Sequence, residues 1–203
     1  MYIFGRTLGR QDKAAEDNDF NTLPYFHWEN CLDDPTLLQF LDHLPGEWEP
    51  ATVGDNEVLP KIRKHTLKTI PYSIASHALY EALLKPVESV NYYHYNFALW
   101  SMETIQYANF EQGDTYVMHN DRTYMKDRSE RKMTVIFALS EADSYKGGKV
   151  VLMPSGYAKH KVEVMLNKGD MLVFPAWVPY EMKSVEEGTA KFLLTWMYGP
   201  KFV

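Results

Sequence analysis

The residues with the clearest potential for chemistry are His119 and Asp121, which stand two positions apart within residues 110–121 (FEQGDTYVMHND). Side chains two positions apart on a β-strand point to the same side of the strand. An imidazole and a carboxylate placed in this way can supply two neighbouring ligands to one metal ion. Such a pair occurs by chance in many chains, so the pattern around it decides its meaning.

The preceding positions extend the pair to a longer pattern, Phe110-x-x-Gly113-x-x-Tyr116-x-x-His119-x-Asp121. It resembles the Tyr-x-x-Gly-x-x-Tyr-x-x-His-x-Asp pattern of Fe(II)- and 2-oxoglutarate-dependent dioxygenases of the prolyl 4-hydroxylase type. The resemblance implies that His119 and Asp121 bind iron and that Tyr116 helps to hold 2-oxoglutarate. The alternative for His119 and Asp121 is a hydrogen-bonded pair at a strand edge. The alternative for Tyr116 is a core aromatic residue. Phe110 lacks the hydroxyl of the family's Tyr, so we expect it only to pack.

Later segments resemble the family in the expected order. Residues 131–134 (RKMT) match its Arg-x-Leu-Thr stretch, and Thr134 is expected to point into the same pocket. Further matches, with a fainter one at Trp48 and residues 62–64, lie at residues 145–150 (YKGGKV), 168–175 (KGDMLVFP) and 194–200 (LTWMYGP). The resemblance therefore covers most of the chain beyond about residue 48.

Two positions depart from the family pattern, and both belong to the implied site. The family places its second iron-binding His after the Phe-Pro strand, where this chain has Tyr180. Ten positions later the family has an Arg or Lys that pairs with the far carboxylate of 2-oxoglutarate, and this chain has Ala190. The resemblance thus predicts the fold directly and leaves the enzyme activity undecided.

Tyr180 has three interpretations. As a phenolate it binds iron, although phenolates suit Fe(III) better than Fe(II), and a side chain with an ordinary pKa of about 10 must first lose its proton. As a phenol it fills the metal space and hydrogen-bonds to His119 or Asp121. In the third interpretation a water or a distant His, either His94 or His160, completes the coordination. We favour the second interpretation, which leaves the site poor in metal.

Lys191 is the cation adjacent to the position of the missing Arg or Lys. One step along a strand turns a side chain to the opposite face, so Ala190, Phe192 and Leu194 should form the inner row. Lys191 reaches a 2-oxoglutarate pocket only if a bulge near residues 188–189 brings it back. An unpaired carboxylate in a closed pocket is costly, so 2-oxoglutarate binding should suffer.

Two hypotheses for the function follow. In the first, the resemblance implies an active dioxygenase that uses Fe(II) and 2-oxoglutarate, with ascorbate as an optional addition, to hydroxylate a peptidyl or small-molecule substrate. Its candidate residues, with no further catalytic residue implied, are His119, Asp121 and Tyr180 for the metal and Tyr116, Thr134 and Lys191 for the cofactor. In the second, the fold has lost catalysis, binds no cofactor and serves as a binding or structural subunit. Cyanophage genomes carry proteins that the chain resembles, so this subunit could belong to a homo-oligomer or a phage virion.

The composition favours one soluble domain. The 203 residues suit a single domain, and 45% hydrophobic and 14% aromatic residues supply a dense core. A formal net charge of -6 argues against nucleic acid or an anionic membrane as the main partner. Cys31 is the only cysteine, which excludes an intrachain disulfide and fits a reducing compartment. Neither a signal peptide nor a membrane-spanning run is evident, so we expect the cytoplasm, or a virion under the second hypothesis.

The order of predicted elements gives an α+β fold. Residues 1–24 form a polar N-terminal arm, either a flexible tail or a segment that orders against a partner, and residues 25–203 form one domain. Two predicted helices, at residues 36–41 and 73–90, precede the strands. The predicted strands are residues 95–100, 104–110, 134–139, 149–153, 161–166, 171–174 and 191–197.

The resemblance identifies this core as a double-stranded β-helix, a cupin-like jelly roll, which the N-terminal helices brace. The charged run at residues 126–132 (KDRSERK) is expected to be a solvated loop at the mouth of the pocket. The substrate cannot be derived from the sequence, because pocket-lining loops vary freely on such a scaffold.

Overall fold

A computed structural model of the chain describes residues 2–8, 24–32, 34–54, 56–124, 129–155 and 160–202. The helices are α1 (Pro35–Asp42) and α2 (His77–Val90), and a π-helix (Asn91–Tyr95) continues α2. The strands are β1 (Tyr2–Leu8), β2 (Phe26–Trp28), β3 (Glu49–Pro50), β4 (Arg63–Lys64), β5 (Thr66–Ile70), β6 (Leu99–Met102), β7 (Ile105–Phe110), β8 (Thr115–His119), β9 (Ser129–Ala138), β10 (Tyr145–Gly147), β11 (Val150–Leu152), β12 (Val162–Val164), β13 (Met171–Pro175), β14 (Tyr180–Met182), β15 (Val185–Gly188) and β16 (Ala190–Pro200).

Two antiparallel sheets form the jelly roll. The larger sheet has the order β2-β13-β9-β16-β7-β5-β3, with β6 paired to β16 and β1 paired to β6. The smaller sheet has the order β12-β11-β14-β8-β4, and β10 pairs separately with β15. The α+β jelly-roll fold that the sequence predicts is confirmed.

The long strand β16 divides the interior into two cores, because alternate side chains of a strand point to opposite faces. Leu193 and Met197 pack on the helix side of the larger sheet, in one core with residues of α2. Phe192 and Leu194 pack on the other side, in a second core that includes residues of the smaller sheet. The candidate site lies in this second core, between the two sheets.

Helix α2 covers the outer face of the larger sheet. Leu79, Leu83 and Val87 recur at helical spacing and are all nearly inaccessible to solvent. The helix begins four residues later than predicted, because Ser73 and Ser76 exchange side-chain to backbone hydrogen bonds before it. Neither helix in the described part of the chain has the length and hydropathy of a membrane span.

The strand predicted at residues 95–100 is wrong over its first four residues. The π-helix ends at Tyr95, and Asn96 takes a left-handed conformation with φ of 51°. The Asn91 side chain holds this turn, since it donates to the Phe97 carbonyl and accepts from the Phe97 N–H, both at 2.9 Å. The strand therefore starts only at Leu99.

Two further predictions concern segments that the structure places in strands. Residues 129–132, expected in a solvated loop, begin β9, where Glu130 and Lys132 are buried as an ion pair with an Nζ–Oε1 distance of 3.0 Å. The rest of that run, residues 126–128, lies outside the described residues. In the predicted arm, Tyr2–Leu8 pairs with β6 of the same chain, and residues 9–23 lie outside the described residues.

Candidate functional site

Neighbouring strands of the smaller sheet bring the predicted residues together. Tyr180 on β14 lies directly opposite His119 on β8, and their ring centres are 4.4 Å apart. Asp121 lies two residues beyond the end of β8 and not on the strand, and its N–H donates to the Ala176 carbonyl at 2.9 Å. This backbone bond turns Asp121 towards His119, so the pair converges without sharing a strand.

His119 points an unpaired nitrogen at the Asp121 carboxylate. Its Nδ1 lies 2.7 Å from the Val117 carbonyl, which can only accept, so Nδ1 carries a proton. The other ring nitrogen, Nε2, is 3.5 Å from Asp121 Oδ1 and has no hydrogen-bond partner among the described residues. On a neutral ring this places a lone pair opposite a carboxylate, an arrangement that a cation between the two atoms, or a proton on Nε2, would stabilise.

Asp121 is held as a carboxylate. Burial raises the pKa of Asp121, but the close approach of His119, Trp196 and Arg131 brings the pKa below its usual range. Thr134 donates its hydroxyl to Asp121 Oδ2 at 2.8 Å. Thr134, a cofactor candidate from the sequence, therefore orients the carboxylate.

Tyr180 occupies the position at which the family pattern has its second iron-binding His. Its side chain is fully buried, and its ring packs on Phe174 with centres 4.9 Å apart. The hydroxyl has no hydrogen-bond partner within the described ranges, so the expected bond to His119 or Asp121 is not made. Burial, followed by the nearby Asp121 carboxylate, raises the pKa of Tyr180 well above its usual range. Tyr180 is therefore a phenol at neutral pH.

Tyr116 forms a wall of the site. Its ring stacks on His119 with centres 3.6 Å apart, and the Arg63 guanidinium carbon lies 4.8 Å from the ring centre. Burial raises the pKa of Tyr116, while its side chain remains partly exposed. Phe110 packs as expected, stacked on His65 with ring centres 4.1 Å apart.

No cation lies at the position of Ala190. This residue is fully buried opposite Phe110, and β16 pairs with β7 in regular register from Ala190 to Leu194. The Lys191 ammonium instead lies 6.0 Å from the ring of Tyr107, which belongs to the helix-side core. The structure thus places Lys191 on the face away from His119 and Asp121, as strand parity requires.

Two buried residues beside the site, Arg63 and His65, are not predicted from the sequence. Arg63 on β4 lies opposite Tyr116 of β8 and is only 6% exposed, while His65 is 4% exposed. The available indications were the fainter family likeness at residues 62–64 and the alternation of the two residues along a strand. Their importance depends on the pairing of β4 with β8, which the sequence does not specify.

The residues present do not complete an Fe(II) site. His119 and Asp121 supply two ligands, and the described residues contain no group of three His, Cys, Asp or Glu side chains able to hold a metal. His94 stacks on Phe26 with ring centres 4.7 Å apart, and His160 contacts Ser155 at 2.9 Å. Neither is the third ligand, and a protonated phenol is a weak substitute.

Comparison with family models gives one match. The model of the 2OG-Fe(II) oxygenase superfamily matches residues 105–198, which run from β7 through most of β16. No curated protein matches the chain.

Solved structures of low sequence identity share the fold. A prolyl hydroxylase from Trichoplax adhaerens, in complex with a hypoxia inducible factor peptide fragment, is 19% identical with a TM-score of 0.72, over 90% of this chain and 86% of that one. A Pseudomonas putida prolyl-4-hydroxylase is 20% identical with a TM-score of 0.68, over 86% and 92%. A viral collagen prolyl hydroxylase from Paramecium Bursaria Chlorella virus-1, in a 2OG complex, is 17% identical with a TM-score of 0.62, over 87% and 96%.

Proposed function

We propose that this chain is a member of the 2OG-Fe(II) oxygenase superfamily, whose model matches residues 105–198, and that it is a ligand-binding member in which iron-dependent hydroxylation has been lost. The observation that carries the proposal is the buried Tyr180 phenol, which lies against His119 where the family pattern has its second iron-binding His. A metal ion at this position would have to displace a proton from a group that the site keeps protonated.

The environment of Ala190 supports the same proposal. An Ala side chain in an apolar core offers nothing to the far carboxylate of 2-oxoglutarate, and Lys191 faces the other core. A carboxylate buried without a partner is unfavourable. Tyr180 and Ala190 therefore both affect the complex of iron with 2-oxoglutarate, since this co-substrate needs the iron and the cation at the same time.

A second candidate function is hydroxylation of a peptidyl or small-molecule substrate with Fe(II), 2-oxoglutarate and optional ascorbate. The favouring observation is the separation of 3.5 Å between His119 Nε2 and Asp121 Oδ1, with Nε2 unpaired among the described residues. Two donor atoms held in this way by Thr134 and the Val117 carbonyl are suited to a divalent cation.

The proposed partners are a small ligand and further copies of the chain, in the cytoplasm or, for a structural subunit, in a phage virion. Light scattering on the purified protein measures the oligomeric state. A monomer at all concentrations would exclude the homo-oligomer.

Anaerobic calorimetric titration with Fe(II) tests the loss of iron chemistry. We expect no saturation at one equivalent of Fe(II), and the same weak titration for a His119→Ala variant, because the site lacks its third ligand. Uptake of one equivalent by the native protein, abolished in His119→Ala, would replace the first proposal by the second.

A further inference from the structure

Buried polar atoms without a hydrogen-bond partner occur both in the site and beside it. In the described part of the chain, five buried side-chain atoms lack a hydrogen-bond partner, namely Arg63 Nε, His65 Nδ1, His119 Nε2, Tyr180 OH and Trp196 Nε1. Native structures leave few buried polar groups unpaired, so these atoms need an explanation. Most of these atoms are donors, which indicates that the missing partner is an acceptor.

Arg63 is a buried cation with neutral partners. Its Nη1 donates to the Thr52 carbonyl at 3.0 Å, and its Nη2 donates to Gln106 Oε1 at 2.7 Å. Within the described residues no carboxylate forms an ion pair with Arg63, whereas Arg131 has the Glu103 carboxylate at 2.7 Å. A buried charge without an opposite charge is unfavourable, so an anion would stabilise Arg63.

His65 adds a second free donor beside Arg63. Its Nε2 lies 3.3 Å from Arg63 Nη2, and because Arg can only donate, Nε2 accepts and the proton is on Nδ1. Burial, followed by the charge of Arg63, lowers the pKa of His65 to about 2. The ring is therefore neutral at physiological pH and offers an N–H that has no partner among the described residues.

The two residues adjoin the candidate metal pair. Arg63 lies against one wall of the site, the ring of Tyr116, which stacks on His119. His65 stacks on Phe110, and Phe110 lies opposite Ala190. The two residues therefore adjoin the core between the sheets, but they come from β4 and its adjoining residue and not from β16.

We propose that Arg63 and His65 form a binding site for the carboxylate of a small organic acid, with Arg63 Nε–H and His65 Nδ1–H as the free donors. The inference rests on the proposed function, because it names the ligand class of a protein without iron chemistry. One positive charge and two free N–H groups match the single charge and two oxygens of a carboxylate. Both donors are sealed from solvent, so the partly exposed ring of Tyr116 must move to admit the ligand.

Calorimetric titration with succinate, in a chelator and at low ionic strength, tests the proposal without any metal. Arg63→Gln should weaken succinate binding about tenfold or more, because a charge-assisted hydrogen bond is lost. Lys64→Gln is the matched control, since it removes the same charge from the next residue, an exposed cation paired with Asp114 at 3.2 Å. We expect Lys64→Gln to change binding by no more than about twofold.

His65→Asp provides a second and independent test. The new carboxylate would lie next to Arg63 and act as an internal anion, so this variant should have a higher melting temperature and should not bind succinate. If Arg63→Gln fails to fold, the His65→Asp variant still tests the proposal.

Absence of succinate binding to the native protein, equal losses in Arg63→Gln and Lys64→Gln, or binding retained in His65→Asp would each overturn the carboxylate site. These outcomes are separate from Fe(II) uptake, which tests the loss of iron chemistry.

Discussion

The Tyr180 side chain occupies the position of the family pattern's second His without pairing its hydroxyl in the described part of the chain. Its ring contacts Phe174 and His119, while its hydroxyl is buried and unpaired among the described residues. The stability that Tyr180 contributes therefore comes from burial of the ring, and the hydroxyl opposes folding because it loses its hydrogen bonds to water.

Tyr180→Phe should leave the free energy of unfolding unchanged or raise it by up to about 1 kcal/mol. Tyr80→Phe is the matched control, since the equally buried Tyr80 hydroxyl donates to the Ile70 carbonyl at 2.7 Å and accepts from the Ile105 N–H at 3.2 Å. That change should cost about 1–3 kcal/mol. Urea denaturation measures both, and equal losses would show that the Tyr180 hydroxyl is paired.

His65 should make stability depend on pH. Its pKa is about 2 in the folded protein, against about 6.5 for an unfolded His, so below pH 6.5 the unfolded state binds more protons. The contribution of His65 to the free energy of unfolding is complete above about pH 6.5. It is lost as the pH falls, by up to about 1.4 kcal/mol per pH unit. Urea denaturation between about pH 7.5 and pH 4.5 should show a steeper decline for the native protein than for His65→Phe, which keeps a ring against Phe110. Parallel declines would mean that His65 is not buried in its neutral form.

The sequence predicts only part of the site. The order of the family-like segments along the chain predicts that His119, Asp121 and Tyr180 lie close together, and the structure brings their side chains together. Arg63 and His65 are not found, because their importance arises from the absence of an opposing carboxylate, and a contact that is missing leaves no pattern in the sequence.

At the scale of elements, a buried ion pair attaches the end of the chain to β9. Lys132 Nζ donates to Glu130 Oε1 at 3.0 Å and lies 3.1 Å from the centre of the Phe202 ring. The Phe202 N–H donates to the same Glu130 oxygen. The residues after β16 are therefore held by two charged side chains at the start of β9.

Lys132→Met should destabilise the fold by about 3–5 kcal/mol, because it leaves Glu130 buried without its closest cation. Lys149→Met removes a pair with Glu163 at a similar distance of 3.0 Å, but both of those side chains are about half exposed. That control should cost no more than about 1 kcal/mol. Adding Glu130→Gln to Lys132→Met should recover part of the loss in chemical denaturation. A cost for Lys132→Met no larger than that of the control would contradict the prediction.

The elements that the sequence predicts best are those with a local cause. Strands in apolar and aromatic stretches, such as Ile105–Phe110 and Met171–Pro175, are found nearly to the residue. The start of β9 is not found, because a run of charges indicates a solvated loop unless its partners are known. The partner of Arg131 is Glu103, which is distant in sequence and close only after folding.

At the scale of the whole molecule, the two departures from the family pattern meet in one interior. Tyr180 is on the smaller sheet and Ala190 is on the larger sheet, and both belong to the core between the sheets. Because the fold around them is that of the solved prolyl hydroxylases, the proposed loss of iron chemistry should lie in these side chains and should be reversible in them.

The most direct measurement is the visible charge-transfer band of an anaerobic complex with Fe(II) and 2-oxoglutarate. The native protein should show no such band, and the combination of Tyr180→His with Ala190→Arg should produce one, because it restores a neutral nitrogen ligand and a planar cation for the far carboxylate. Tyr180→His with Lys191→Arg is the control and should produce no comparable band, since Lys191 faces the helix-side core. A band at full strength in the native protein would contradict the proposed loss of iron chemistry.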